Sequence, residues 1–181
     1  SHLILPRVSL DERTLNKIDF YPFKSTTAKL AMTAHILYKN VDPDYPATFS
    51  KKLLKEILPD TGYKKLVISD DLDMKALTKH YDINEIPLHA LNAGCNILLY
   101  CNEEQSPYIA IEEIIKAVEN KKLDLALIEE NYKKVVTLKA DRIKQVGPLP
   151  KAERDKIIGC EEHQNMALCI RENRLPDDIK S

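Results

Sequence analysis

No stretch of this sequence reads as a helix able to cross a membrane. Its apolar runs are short, and none approaches the roughly 20 residues that a bilayer demands. Nor is charge of one sign in excess: 27 Lys and Arg stand against 28 Asp and Glu. That balance implies neither a nucleic-acid nor an anionic-membrane partner. The opening SHLILPRVSLDER lacks a basic leader region and a small-residue cleavage site, so no signal peptide is expected there. Among Cys95, Cys101, Cys160 and Cys169 there is no CxxC pair, and the chain is not a small disulfide scaffold. Cys95 and Cys101 flank one predicted strand, which sets them about 20 Å apart, too far for a disulfide. Buried free thiols are expected, and with them a reducing compartment. Low-complexity segments and short repeats are missing too. Glycine is scarce, with four in the chain, and no methionine opens it. A fragment of a longer protein is expected on those two grounds.

What is present is a globular composition over 181 residues, enough for one domain with a real core. Three short apolar runs read as buried strands: Lys29 to Ile36, Lys64 to Asp70 and Cys95 to Cys101. They are nearly continuous rather than alternating, as expected of parallel strands covered on both faces. Helical patterns lie between and after them. FSKKLLKEIL has Ser50 as a candidate N-cap and Leu53, Leu54, Ile57 and Leu58 as its stripe. MKALTKHY follows the second strand. INEIPLHALNAG precedes the third, with Pro87 in its first turn and Gly94 as its stop. Two long amphipathic helices follow, broken by VGPLP, and then a last helical stretch and a polar tail. The order strand, helix, strand, helix predicts an α/β fold with a parallel sheet. Three strands fit an open sheet or part of a closed barrel, and the pattern alone leaves both open. The expected domain limits are 1–147 for this α/β part and 148–181 for a helical extension.

In either architecture the chemistry sits at the carboxyl ends of the strands. Polar residues end all three: Thr33 and His35, then Ser69, Asp70 and Asp71, then Asn102. If the strands are neighbours, His35, Asp70 and Asn102 can converge. Asp70 stands where its strand leaves the core, and a carboxylate there needs a partner. Asp71 and Asp73 are expected in the first turn of the next helix, where acidic side chains cap free N–H groups. Adjacent carboxylates on a strand point to opposite faces, which makes Asp70 and Asp71 poor co-ligands for a metal. His80, His89 and His163 have no paired ligand and read as structural.

Three blocks in order, MTAHILYKNVDPDYPATFSKKLLKEIL, LVISDDLDMKAL and ALNAGCNILLYCN, resemble glycoside hydrolase family 3 β-N-acetylglucosaminidases of the peptidoglycan-recycling type. The resemblance runs from Ser1 to about Asn165. It implies a (β/α)8 barrel, of which this chain would be the C-terminal part, about strands six to eight. It implies a retaining exo-glycosidase that releases terminal β-linked N-acetylglucosamine, as from muropeptides. By the family motif Asp70 is the nucleophile. His2, in the opening S-H-L-I-L-P, matches the histidine that carries the proton, and the aspartate that orients it would precede Ser1. Met32, His35 and Met74 match substrate-binding positions. No metal or organic cofactor is implied, and the partners are a carbohydrate and the N-terminal half of the same barrel. A cytoplasmic location is expected from family and cysteines together. The alternatives at this point are a family 3 β-glucosidase and a non-catalytic, sugar-binding fragment.

Overall fold

The structure, a computed structural model, describes residues 4–143 and 147–175. The chain divides into two compact units on either side of the Arg142–Ile143 bond. The first carries every strand of the described residues. Three of these, β2 (Leu30–Met32), β4 (Leu66–Asp71) and β5 (Ile97–Leu99), form one parallel sheet in the order β2-β4-β5. The two others, β1 (Arg7–Val8) and β3 (Leu37–Tyr38), pair in parallel as a separate short ribbon. Two-residue strands carry no readable periodicity, which is why the sequence pattern does not announce them.

The helices between the strands follow from the patterns described above. Ser50 Oγ accepts from the Leu53 amide at 3.1 Å and donates to Asp42 Oδ2 at 2.6 Å, so it opens the helix after β3. That helix is wound wide over Lys52–Ile57, then closes as a single turn, α2 (Leu58–Asp60). The widening lets its apolar residues serve two cores. Leu53 packs with Leu15 and Val41, the first from α1 (Glu12–Lys17). Leu54 and Leu58 pack instead on a cluster of Phe49, Val67, Leu72, Leu77, Ile86, Ala90 and Cys95. Two short helices, α3 (Lys75–Thr78) and α4 (Ile86–Ala93), follow β4, and α5 (Ser106–Glu119) and α6 (Leu125–Arg142) follow β5. The second unit contains α7 (Lys151–Ile157) and α8 (Glu161–Arg171), separated by Gly159 at φ +70°.

Only β4 is buried as the continuous apolar runs predict. In β2, Ala31 is buried while Leu30 and Met32 are 38% and 56% exposed, and β5 is half-buried throughout. The reason is topological. Among the described residues β4 alone has a strand on each side. Helices cover the face reached by Ala31 and Val67; on the other face Leu66 is buried at the start of β4, and from Met32 and Ile68 onward that face is uncovered.

The thiols also divide. All four cysteines are free. Cys95 and Cys169 are buried, Cys160 is half-buried, and Cys101 is exposed, which corrects the expectation that all would be buried. Burial pushes the Cys95 thiol up to about 12, which leaves it an inert core group.

Gly94 ends α4 at φ +126°, and a Cβ built there lies 3.3 Å from the Leu54 Cβ. An added methyl meets both a disfavoured backbone and the helix after β3. Gly94→Ala is expected to lower unfolding stability by about 1 kcal/mol or more, read from the urea midpoint.

Candidate active site

β4 runs from Leu66 and Val67 in the core to two carboxylates at its carboxyl end. The neighbouring strands flank it, with Met32 beside Ile68 on one side and, on the other, Ile97 beside Ile68 and Leu99 beside Asp71 across a shift in register. Burial still alternates along β4, with Val67, Ser69 and Asp71 buried and Ile68 and Asp70 half-buried, which puts Ile68 and Asp70 on the face of Met32. Asp71 points the other way and is buried.

Asp70 is held at two points. Its amide donates to Thr33 Oγ1 at 3.2 Å. Its Oδ1 accepts from the Asp71 amide at 2.8 Å. Among the described residues its second oxygen, Oδ2, accepts no hydrogen bond. A half-buried carboxylate with one oxygen fixed and the other open, at the end of a central parallel strand, can attack an electrophile approaching from the uncovered face.

Asp71 and Asp73 do not cap the following helix, contrary to the expectation from their position. The α3 helix begins two residues past Asp73, and Met74 at its N-cap position makes no side-chain capping bond. Asp71 Oδ1 accepts from the amides of Cys101 (3.0 Å) and Asp73 (3.1 Å), and its Oδ2 accepts from Asn102 Nδ2. Asp73 Oδ2 accepts from the amides of Asn102 (3.2 Å) and Glu103 (3.1 Å). Both carboxylates bind the loop after β5 to the end of β4. Loop amides with no ladder partner need such acceptors, and sequence spacing between segments some 30 residues apart could not reveal them.

The strand ends do converge, but on Asp71 rather than on Asp70. His35 is 3% exposed and spends both ring nitrogens inside the chain. Nε2 faces the Asp71 carbonyl at 2.9 Å, and Nδ1 lies 2.8 Å from Thr48 Oγ1. Thr48, the threonine of PATFS, is fully buried and lies 2.9 Å from Thr33 Oγ1. Thr33 stands among the polar strand ends in the sequence, whereas nothing there assigns a role to Thr48. The signal that marks Thr48 is a buried hydroxyl beside a buried histidine, and that is visible only once the segments meet. Met74 is buried, and Met32 is exposed beside Ile68. His2 lies outside the described residues.

Burial holds the His35 imidazole below its ordinary range, against the pull of the Asp71 carbonyl and the Asp70 and Asp71 charges. A histidine kept neutral in the fold takes up its proton more readily when unfolded. Its contribution to stability is therefore present above about pH 6.5 and declines as the pH falls below that value. Unfolding stability should fall between pH 7 and 5.5, and His35→Gln should flatten that part of the profile. An identical slope in the variant would assign the loss to other groups.

Among the described residues no cluster of three or more His, Cys, Asp or Glu is placed to hold a metal ion, and no helix is long and apolar enough to cross a membrane.

Comparison with known proteins gives this arrangement its context. A β-hexosaminidase of Idiomarina loihiensis is 35% identical over 125 residues, which are 66% of this chain and 37% of that protein. A glycoside hydrolase family 3 β-N-acetylglucosaminidase from Paenibacillus superimposes with a TM-score of 0.76 at 27% identity, covering 83% of this chain and 30% of the other. The β-N-acetylglucosaminidase from Thermotoga maritima gives 0.72 at 30% identity, covering 81% and 33%. The chain thus spans about a third of the length of each of these relatives. The family described as the glycosyl hydrolase family 3 N-terminal domain matches residues 1–138. With three-quarters of its length inside that match and a strand-end aspartate at its centre, the chain belongs to glycosyl hydrolase family 3.

Proposed function

We propose that this chain is the C-terminal part of a (β/α)8 barrel, about strands six to eight, and that the complete barrel is a retaining exo-β-N-acetylglucosaminidase. The observation that carries the proposal is Asp70. It ends the central strand of the parallel sheet with one oxygen fixed and the other open, on the uncovered face. In a βα barrel that end of the strands is the catalytic end. The exposed Leu30 and Met32 support the barrel as well, because an apolar strand face of this kind needs a covering layer. The N-terminal half of the barrel would supply it.

In the proposed reaction Asp70 attacks the anomeric carbon and the glycosidic oxygen leaves with a proton, giving a glycosyl-aspartate. Water then attacks that carbon, releases Asp70 and retains the configuration. His2 is the proposed proton carrier in both steps, since imidazole exchanges protons near neutral pH. Met32 lines the sugar pocket from the strand beside Asp70. His35 and Met74, both buried, shape that pocket from behind the carboxylate. The chemistry uses no metal or organic cofactor. We assign terminal β-linked N-acetylglucosamine as the substrate group, with muropeptides as its source and the cytoplasm as the compartment. The β-hexosaminidase and β-N-acetylglucosaminidase names of the relatives support the sugar.

Turnover of aryl glycosides by the complete enzyme tests this. The aryl β-N-acetylglucosaminide should exceed the aryl β-glucoside in kcat/KM by about a hundredfold or more, since a site that hydrogen-bonds the acetamido group loses those bonds with the glucoside. Equal turnover, or a preference for the glucoside, would overturn the sugar assignment.

A further inference from the structure

The groups behind Asp70 have a direction that can be worked out atom by atom. The Asp71 carbonyl can only accept, so His35 Nε2, 2.9 Å away, carries a hydrogen and donates to it. Burial disfavours the imidazolium, so the ring is neutral and Nδ1 is a bare acceptor. Thr48 Oγ1, at 2.8 Å, must then donate to Nδ1. Having spent its one hydrogen, Thr48 receives the Thr33 hydroxyl at 2.9 Å. Thr33 Oγ1 keeps a lone pair for the Asp70 amide at 3.2 Å. The Ala34 carbonyl, 3.2 Å from Thr48 Oγ1, is the more distant competitor for the Thr48 hydrogen.

The result is a path in which every donor points the same way: Asp70 N–H to Thr33, Thr33 to Thr48, Thr48 to His35, His35 to the Asp71 carbonyl. It leaves from the amide of Asp70 and returns at the carbonyl of Asp71. Between those two atoms lies the peptide N–H that holds Asp70 Oδ1. We infer that Thr48, acting through Thr33 and His35, is a positioning residue that fixes the backbone bearing Asp70 and so aims its open oxygen at the substrate.

Three features favour positioning over packing alone. Thr48 is fully buried, so its hydroxyl would carry a desolvation cost without such a role. It is the one group that joins the two arms of the path. Its segment, the turn Ala47–Phe49, lies in sequence between β3 and the wide helix and, among the described residues, meets the β4 end through these bonds and apolar contacts.

The inference rests on Asp70 as the nucleophile, and the test separates the two. Thr48→Val, Thr48→Ser, Thr33→Val and Asp70→Ala are made in the complete enzyme and assayed on an aryl β-N-acetylglucosaminide. A misaimed nucleophile costs rate more than binding. Thr48→Val should therefore lose about ten- to a hundredfold in kcat with KM within about twofold, and Thr33→Val should behave alike. Thr48→Ser, which keeps the hydroxyl, should recover most of kcat. A purely structural role predicts a lowered melting temperature with kcat restored at low temperature, and that outcome would overturn the inference. So would wild-type kcat in Thr48→Val alongside an inactive Asp70→Ala, which would leave the nucleophile standing. An active Asp70→Ala would bring down both. Should Thr48→Val fail to fold, the imidazole nitrogen spectrum of the unaltered enzyme decides. His35 protonated on Nε2 with an accepting Nδ1 supports the path, and a hydrogen on Nδ1 contradicts it.

Discussion

Asp70→Ala in the complete enzyme should lower hydrolysis of an aryl β-N-acetylglucosaminide by more than about a thousandfold, because it removes the proposed nucleophile. The structure explains why no neighbour can take over. Asp71 lies on the opposite face of β4 and is committed to Cys101, Asn102 and Asp73. Asp73 is committed to the amides of Asn102 and Glu103. Either would have to abandon the loop after β5 to reach the uncovered face. The fold should survive the substitution, since Asp70 is only half-buried and its Oδ1 bond to the Asp71 amide is local. Loss of turnover with an unchanged melting temperature is the expected combination. Asp70→Gly should also accept chemical rescue: a small anion such as azide can enter the vacated space, attack the anomeric carbon and expel the aryloxide. The product would be a glycosyl azide of inverted configuration. That product would locate the missing carboxylate on the face opposite the leaving group.

The second large effect falls on stability. Asp71→Ala should destabilise the fold by about 3 kcal/mol, because it strips acceptors from two backbone amides and one side-chain amide in a part-buried setting. Each orphaned donor costs about 1–3 kcal/mol when water cannot replace its partner, and partial hydration of the loop keeps the total below the full sum. Asp71→Asn should recover part of the loss. Its one carbonyl oxygen can still accept from the Cys101 or Asp73 amide, but its NH2 group would face the Asn102 NH2 group. Urea unfolding of the three proteins checks the order wild type, Asn, Ala. The loop from Cys101 to Glu103 should show the matching rise in amide exchange in Asp71→Ala. Equal stability of Ala and wild type would mean that the loop is anchored elsewhere.

These two aspartates illustrate what a single chain reveals before its fold is known. The run Leu66–Asp71 was legible as a strand because β-formers stand unbroken up to a polar end, and Asp70 was legible as the residue leaving it. The helix from Ser50, the stop at Gly94 and the parallel order were legible for similar local reasons: a cap, a positive φ, an alternation of patterns. The work of Asp71 and Asp73 was not. Their partners come from the loop after β5, about 30 residues on, and no local rule favours that pairing over the equally sound capping of a nearby helix. His35 belongs to the same class. Its position at a strand end was plain, but its burial and its bond to Thr48 depend on the turn of PATFS folding back beneath β4. The apolar runs of β2 and β5 also promised more burial than this chain delivers. An apolar run records which surfaces a strand is built to bury, and in the proposed barrel the N-terminal half would supply the covering layer.

Trapping the glycosyl-aspartate tests most directly whether Asp70 is the nucleophile of a covalent step. The complete enzyme is incubated with a slow-turnover fluorinated N-acetylglucosaminide, digested, and mapped by mass spectrometry. A single sugar adduct is expected, on the peptide spanning Leu66–Met74 and on Asp70 within it. An adduct on any other residue, or inactivation with no covalent sugar at all, would contradict Asp70 as the nucleophile.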